Sequence, residues 1–288
     1  MAQDLNGSNR ATRGWTFIVL ALLVAVYAPT VYWLWGRWTM SVWHHAHGLL
    51  IPPVVAYFCW LELRDLRGRP VDASAWGFAF LIPALLMHVL DTGLGTQLLS
   101  AISIVLAAPG LSLLLLGVER TKAIAFPLAF LAFMLPIPLA VTARLHLMLR
   151  HIAANTTATL LPLAGVPVFQ EQTYLHLANG TLHVADACSG FSTLYASIAV
   201  AFLTAYACKS WRRRLIVLAA AIPIAIAANI VRMVLLGVLC YYQGFSVLET
   251  WMHPASGMLT FVIALPLIFW LGRPEGHEHA KHQRVGAA

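Results

Sequence analysis

From Gly14 to Gly36 the chain carries no Asp, Glu, Lys or Arg, and intervals of this kind recur along most of its length. An ionised side chain in hydrocarbon costs several kcal/mol, and a helix needs about 20 mainly apolar residues to cross a bilayer. Long uncharged runs therefore read as membrane spans. Eight are expected, over 14–36, 40–61, 73–90, 97–118, 123–143, 187–208, 215–240 and 254–271. The composition agrees, with 60% of the 288 residues hydrophobic and only 10% charged, against about 25% charged in soluble domains. An ordinary soluble domain and a disordered chain are both excluded. Eight spans leave room for loops and one insertion, so residues 1–288 are expected to form a single integral membrane domain of the all-α, polytopic class.

A net charge of +7 would raise the question of nucleic acid in a soluble protein. Here the basic residues cluster in short segments between apolar runs, as retention of cytoplasmic loops requires. All Lys and Arg but Arg37, Arg144, Arg150 and Arg232 fall on the side that holds the N-terminus. Both termini are thus expected in the cytoplasm, with 272–288 as a cytoplasmic tail. The long interval 144–186 becomes an extracytoplasmic loop, and 145–168 is apolar enough to re-enter the membrane. Within it, Asn179-Gly180 between two short alternating stretches predicts a small hairpin. Cys59, Cys188, Cys208 and Cys240 form no CxxC pair, so no metal site and no redox motif is expected. No cofactor is expected either.

Three stretches carry chemistry. ADACSG, residues 185–190, ends the polar loop and opens the sixth span; it predicts Asp186 as N-cap and Cys188 in the first helical turn, where the dipole favours a thiolate. Arg232 stands inside an otherwise apolar span and must face protein or an aqueous cleft, with Asn229 three residues earlier on the same face. His253 precedes Pro254 at the start of the last span, a position that costs the helix no hydrogen bond. All three are expected at the outer membrane face. A thiolate can attack a peptide carbonyl, a histidine can take and return the proton, and an arginine can stabilise the oxyanion. Asp186 or Glu249 could orient His253. A packing cysteine and an arginine paired with Glu249, Asp186 or helix carbonyls are the bland readings of the same residues.

At these residues the sequence resembles the exosortase and archaeosortase family of membrane transpeptidases. The resemblance rests on ACSG at Ala187 to Gly190, NIVR at Asn229 to Arg232 and HPASG at His253 to Gly257. LPIP at Leu135 to Pro138 and GVPV at Gly165 to Val168 extend it, so that roughly residues 120–271 carry the match. It implies a cysteine endopeptidase and transpeptidase of a bacterial inner membrane with a periplasm-facing site. Cys188 would be the nucleophile, Arg232 the electrostatic partner and His253 the general base and acid. Substrates would be surface-destined proteins bearing a C-terminal Pro-Glu-Pro-type motif, a transmembrane helix and a basic tail. Neighbouring genes of that family commonly serve exopolysaccharide production.

Three other readings remain open on residues alone. In a permease or exopolysaccharide-export component, Arg232 and Asn229 would line a path and Cys188 would be incidental. In a haem protein, His44, His45, His47 and His88 would supply axial ligands. A rhomboid-like protease would use Ser189.

Overall fold

A computed structural model describes residues 2–39, 46–185 and 189–273, with the side chains of residues 2–16, 46 and 139 left aside. Helices dominate: α1 (Ala2–Thr39), α2 (Ile51–Arg64), α3 (Phe78–Leu94), α4 (Leu98–Ala123), α5 (Ala125–Phe130), α6 (Leu139–Leu160), α7 (Phe191–Ala207), α8 (Trp211–Gln243) and α9 (Met252–Gly272). A sheet of β1 (Val168–Glu171), β2 (Tyr174–Leu177) and β3 (Gly180–His183) lies between α6 and α7 in sequence. Among the described residues, Phe17–Thr39, Ala75–Leu94, Leu98–Ala123, Trp211–Gln243 and Met252–Gly272 are long and apolar enough to cross a membrane. The protein is an all-α polytopic membrane protein with at least these five spans. Contacts divide it into two compact units, ending at Ile137 and beginning at Pro138.

Several expected boundaries move, and the cause is local backbone chemistry. The interval 123–143 is not one helix. The α5 helix runs into a 3₁₀ turn at Leu131–Met134, and Pro136 and Pro138 then stop it, since proline lacks the N–H that the ladder needs and biases the preceding residue away from helix. Helix α6 restarts at Leu139 and continues to Leu160, through residues assigned above to a loop. The interval 40–61 retains α2, 14 residues long, with residues 40–45, including His44 and His45, outside the described part. The tail 274–288 is also outside it.

In the first unit, α3 and α4 form a tight pair. A Cβ on Gly77 would come 2.4 Å from the Gly110 carbonyl oxygen and 2.5 Å from Leu114, so neither helix could approach the other with a larger residue at Gly77. The buried Asp91 at the end of α3 closes the connection. Its carboxylate accepts the Ser100 N–H at 2.9 Å, the Thr96 N–H at 3.2 Å and the Thr96 hydroxyl. Those bonds satisfy N–H groups at the start of α4 that the helix cannot satisfy itself. At the other end of α4, the Arg120 guanidinium donates to the Leu66 and Arg69 carbonyls at 3.3 and 2.8 Å. Trp38 of α1 donates its indole N–H to the Met134 carbonyl at 3.0 Å.

In the second unit, α7, α8 and α9 pack on one another through buried alanines, among them Ala196, Ala199, Ala221, Ala225, Ala228 and Ala264. Small side chains let helices approach closely where lipid supplies no hydrophobic drive. The Thr193 and Thr260 hydroxyls meet at 2.8 Å between α7 and α9. The sheet rests on this unit through one face: Leu175, Leu177 and Leu182 are buried with Ala153 and Ala154 of α6 and Met233 and Cys240 of α8. Alternation puts Tyr174, Thr181 and His183 on the exposed side. Leu177 pairs with Gly180, so Ala178 and Asn179 form the tight turn and Gly180 opens the strand. Asn179 donates its amide to the Cys240 and Tyr241 carbonyls at 2.8 and 3.2 Å, pinning the hairpin tip to the last turns of α8. Gly180 is where Phe245 packs; a Cβ there would lie 2.6 Å from the ring.

Candidate functional site

The first turn of α7 begins at Phe191, and its cap is Gly190, held at φ +82°. The helix therefore starts four residues later than expected. Asp186 was expected as its N-cap and Cys188 in its first turn. Both residues, with Ala187, lie outside the described part. Capping falls to Ser189, whose hydroxyl accepts the Phe191 N–H at 3.3 Å.

Two elements clamp this turn. From α8, Asn229 packs directly on Gly190; a Cβ at Gly190 would sit 2.6 Å from Asn229 Cγ and 2.8 Å from its Nδ2. From α6, His146 places Nδ1 3.4 Å from Ser189 Oγ and its ring 4.3 Å from that of Phe191. Ser189 is only 2% exposed and Asn229 only 3%. Leu149, Ala153, Ile230 and these two residues line a small cleft between α6, the turn and α8.

One helical turn beyond Asn229, Arg232 is 7% exposed inside the α8 span. The i, i+3 spacing that predicted a shared face holds. Arg232 Nε donates to Ser256 Oγ at 3.1 Å, and Ser256 in turn donates to the His253 carbonyl at 2.6 Å. Its guanidinium passes over Gly257, where a Cβ would lie 3.8 Å from Nη2. The guanidinium is thus held on the first turn of α9, the turn that carries His253. Thr250 sets that turn by accepting the Met252 N–H on its hydroxyl and the His253 N–H on its carbonyl. His253 is half-buried. Glu249 is exposed and makes no ion pair among the described residues.

Of the residues singled out in the sequence, Ser189, Asn229, Arg232 and His253 belong to one set of packed helices. Two participants were not foreseen. Ser256 could have been found, since it lies one turn after His253 in HPASG. His146 could not, because its face with Leu149, Ala153 and Thr157 has helical spacing only once α6 is known to be a helix. His47 is half-buried, and His88 packs against Tyr27 with ring centroids 4.7 Å apart. Among the described residues no three His, Cys, Asp or Glu side chains group to hold a metal ion.

Comparison with known proteins returns a family profile, the transmembrane exosortase (Exosortase_EpsH), over residues 35–270. Neither the curated proteins nor the solved structures yield a match. The match covers most of the chain and contains every element of the site, and on that ground the protein belongs to the transmembrane exosortase family.

Proposed function

We propose that the protein is a cysteine endopeptidase and transpeptidase that cleaves C-terminal sorting signals of surface-destined proteins through a thioester on Cys188. The observation that carries this reading is the placement of Arg232. A guanidinium inside a span is tied through Ser256 to the turn of His253, while Asn229 on the same face abuts the turn that follows Cys188.

In this scheme the His253 imidazole takes the thiol proton and the Cys188 sulfur attacks the scissile carbonyl carbon. The carbonyl π electrons move to oxygen, and the Arg232 guanidinium stabilises the resulting oxyanion. Collapse re-forms the carbonyl and breaks the C–N bond, and the imidazolium gives its proton to the departing amine. The acyl group remains on sulfur until an acceptor amine or water displaces it and the thiol regains its proton.

Topology fits such a site. Arg212, Arg213 and Arg214 open α8 and Arg273 follows α9, so positive charge marks the cytoplasmic ends of this helix pair. Arg232 and His253 then fall toward the opposite, periplasmic side of an inner membrane, and both chain termini lie in the cytoplasm. Eight crossings satisfy the same charge distribution. The substrate class, a Pro-Glu-Pro-type motif followed by a transmembrane helix and a basic tail, comes from the family.

The test is co-expression with candidate signal-bearing proteins. Processing should require Cys188, and mass spectrometry should recover an acyl adduct on that sulfur. Intact processing by Cys188→Ala would end the protease reading and favour the permease or export component.

A further inference from the structure

Helix α6 brings to the site a side chain that the reaction scheme does not use. We propose that His146 is a positioning residue for the transpeptidation: through Ser189 and Phe191 it fixes the turn that immediately follows Cys188. The proposal rests on the reading of Cys188 as nucleophile.

Three contacts support it. The Ser189 hydroxyl stands at a junction, accepting the Phe191 N–H at 3.3 Å with His146 Nδ1 at 3.4 Å. A serine hydroxyl has one proton and two lone pairs, so it can accept from Phe191 and donate to an unprotonated Nδ1 together. The His146 ring also lies over the Phe191 ring, with centroids 4.3 Å apart and planes inclined by 30°. Both contacts end on a firm base, because Leu149 and Ala153 on the following turns of α6 are 4% and 2% exposed.

The geometry makes the clamp two-sided. Asn229 blocks movement of Gly190 toward α8, and His146 holds Ser189 and Phe191 on the α6 side. With one wall removed, the turn is free to shift on its glycine, and Cys188 is bonded to that turn through its peptide link to Ser189. Misplacement of a reacting group by about 1 Å costs on the order of 100-fold in rate. A loss of this kind falls on kcat, since His146 acts on the turn and not on the substrate.

The experiment uses the full-length protein in membranes, with site-resolved alkylation of Cys188 by iodoacetamide and processing of a co-expressed signal-bearing protein as its two readouts. His146→Phe keeps an aromatic ring against Phe191 and removes the Nδ1 acceptor. It should lower kcat by on the order of 10- to 100-fold, leave KM within about twofold, and alter the Cys188 alkylation rate. Ser189→Ala should do the same. Their combination should lose no more than the worse single variant, the signature of one shared interaction. His146→Gln, which can offer an amide oxygen to Ser189, should recover part of the rate.

Wild-type turnover by His146→Phe, or losses that multiply in the double variant, would overturn the proposal while Cys188→Ala remained inactive. Processing that persists in Cys188→Ala would instead remove the reading beneath it. If His146→Phe fails to accumulate, His146→Gln and Ser189→Ala complete the comparison, and independent losses in that pair overturn the proposal equally.

Discussion

Adding a single methyl group at Gly190 tests the site geometry most directly. The residue sits at φ +82°, in the left-handed region that costs an L residue about 1–2 kcal/mol. The new Cβ of Gly190→Ala would also meet Asn229 Cγ at 2.6 Å and its Cβ and Nδ2 at 2.8 Å. Asn229 is 3% exposed and has little room to yield, and overpacking of this kind costs about 1–3 kcal/mol. Together the two effects oppose the native turn by about 2–5 kcal/mol. At about 1.4 kcal/mol per factor of ten, the native turn is depleted roughly 30-fold to several thousand-fold, and turnover falls in the same proportion. The assay is processing of a co-expressed signal-bearing protein, normalised to the amount of enzyme in the membrane. Gly190→Asn separates the causes, because asparagine tolerates the left-handed region but carries the same clashing Cβ. It should remain severely impaired. Wild-type processing by Gly190→Ala would refute the packing of this turn against α8 and the site built on it.

Other substitutions probe the remaining contacts. Arg232→Lys replaces a planar donor fork with a point charge on a flexible stem; processing should fall by about 100-fold or more, the scale of a lost oxyanion donor, and near-normal turnover would reduce the arginine to a structural charge. Ser256→Ala removes the acceptor of Arg232 Nε, a hydrogen bond to a charged group of about 1.5–3 kcal/mol, so initial-rate measurements should show roughly a 10- to 100-fold loss. Cys188→Ser should leave protein levels unchanged and processing severely reduced, because an alcohol needs stronger base activation than a thiol. In the first unit, Asp91→Ala strands the buried Ser100 N–H, at about 1–3 kcal/mol; thermal unfolding in detergent should show a lower Tm, with Asp91→Asn falling between it and the wild type.

What could be read from the sequence followed from how far each signal depends on neighbours. The spans announced themselves because exclusion of charge from hydrocarbon is a one-dimensional rule, and Arg232 and Asn229 stood out as its exceptions. The i, i+3 relation then placed both on one face of α8 without knowledge of the rest. Helix α6 escaped because its Arg144 and Arg150 broke the uncharged run, and because a stretch bounded by prolines reads as a loop. The start of α7 was misplaced for a related reason. Asp186 is a good capping residue, but Gly190 takes up the left-handed conformation and Ser189 supplies the cap, and a choice among adjacent capping residues is made by packing on α6 and α8. The hairpin was visible in its alternation, while its turn moved by one residue because Phe245 occupies the space beside Gly180.

The electrostatics of the α8–α9 contact bear on why such an arginine is kept. A helix carries about half a positive charge at its N-terminus, and the first turn of α9 is where Ser256 holds the Arg232 guanidinium. Thr250 accepts the Met252 and His253 N–H groups at this helix start. For the proposed reaction, which creates a negative oxygen, a guanidinium held in place is favourable, because a charge fixed in advance need not reorganise as the anion forms. The Ser256 hydroxyl reaches the guanidinium at hydrogen-bond distance, and Gly257 lies beside it, where a Cβ would be in ordinary contact at 3.8 Å. In the proposed reaction the guanidinium and the N-terminus of α9 would act together on the oxyanion, so Ser256→Ala should lower the rate, whereas an arginine that only anchored α8 would leave the rate unchanged.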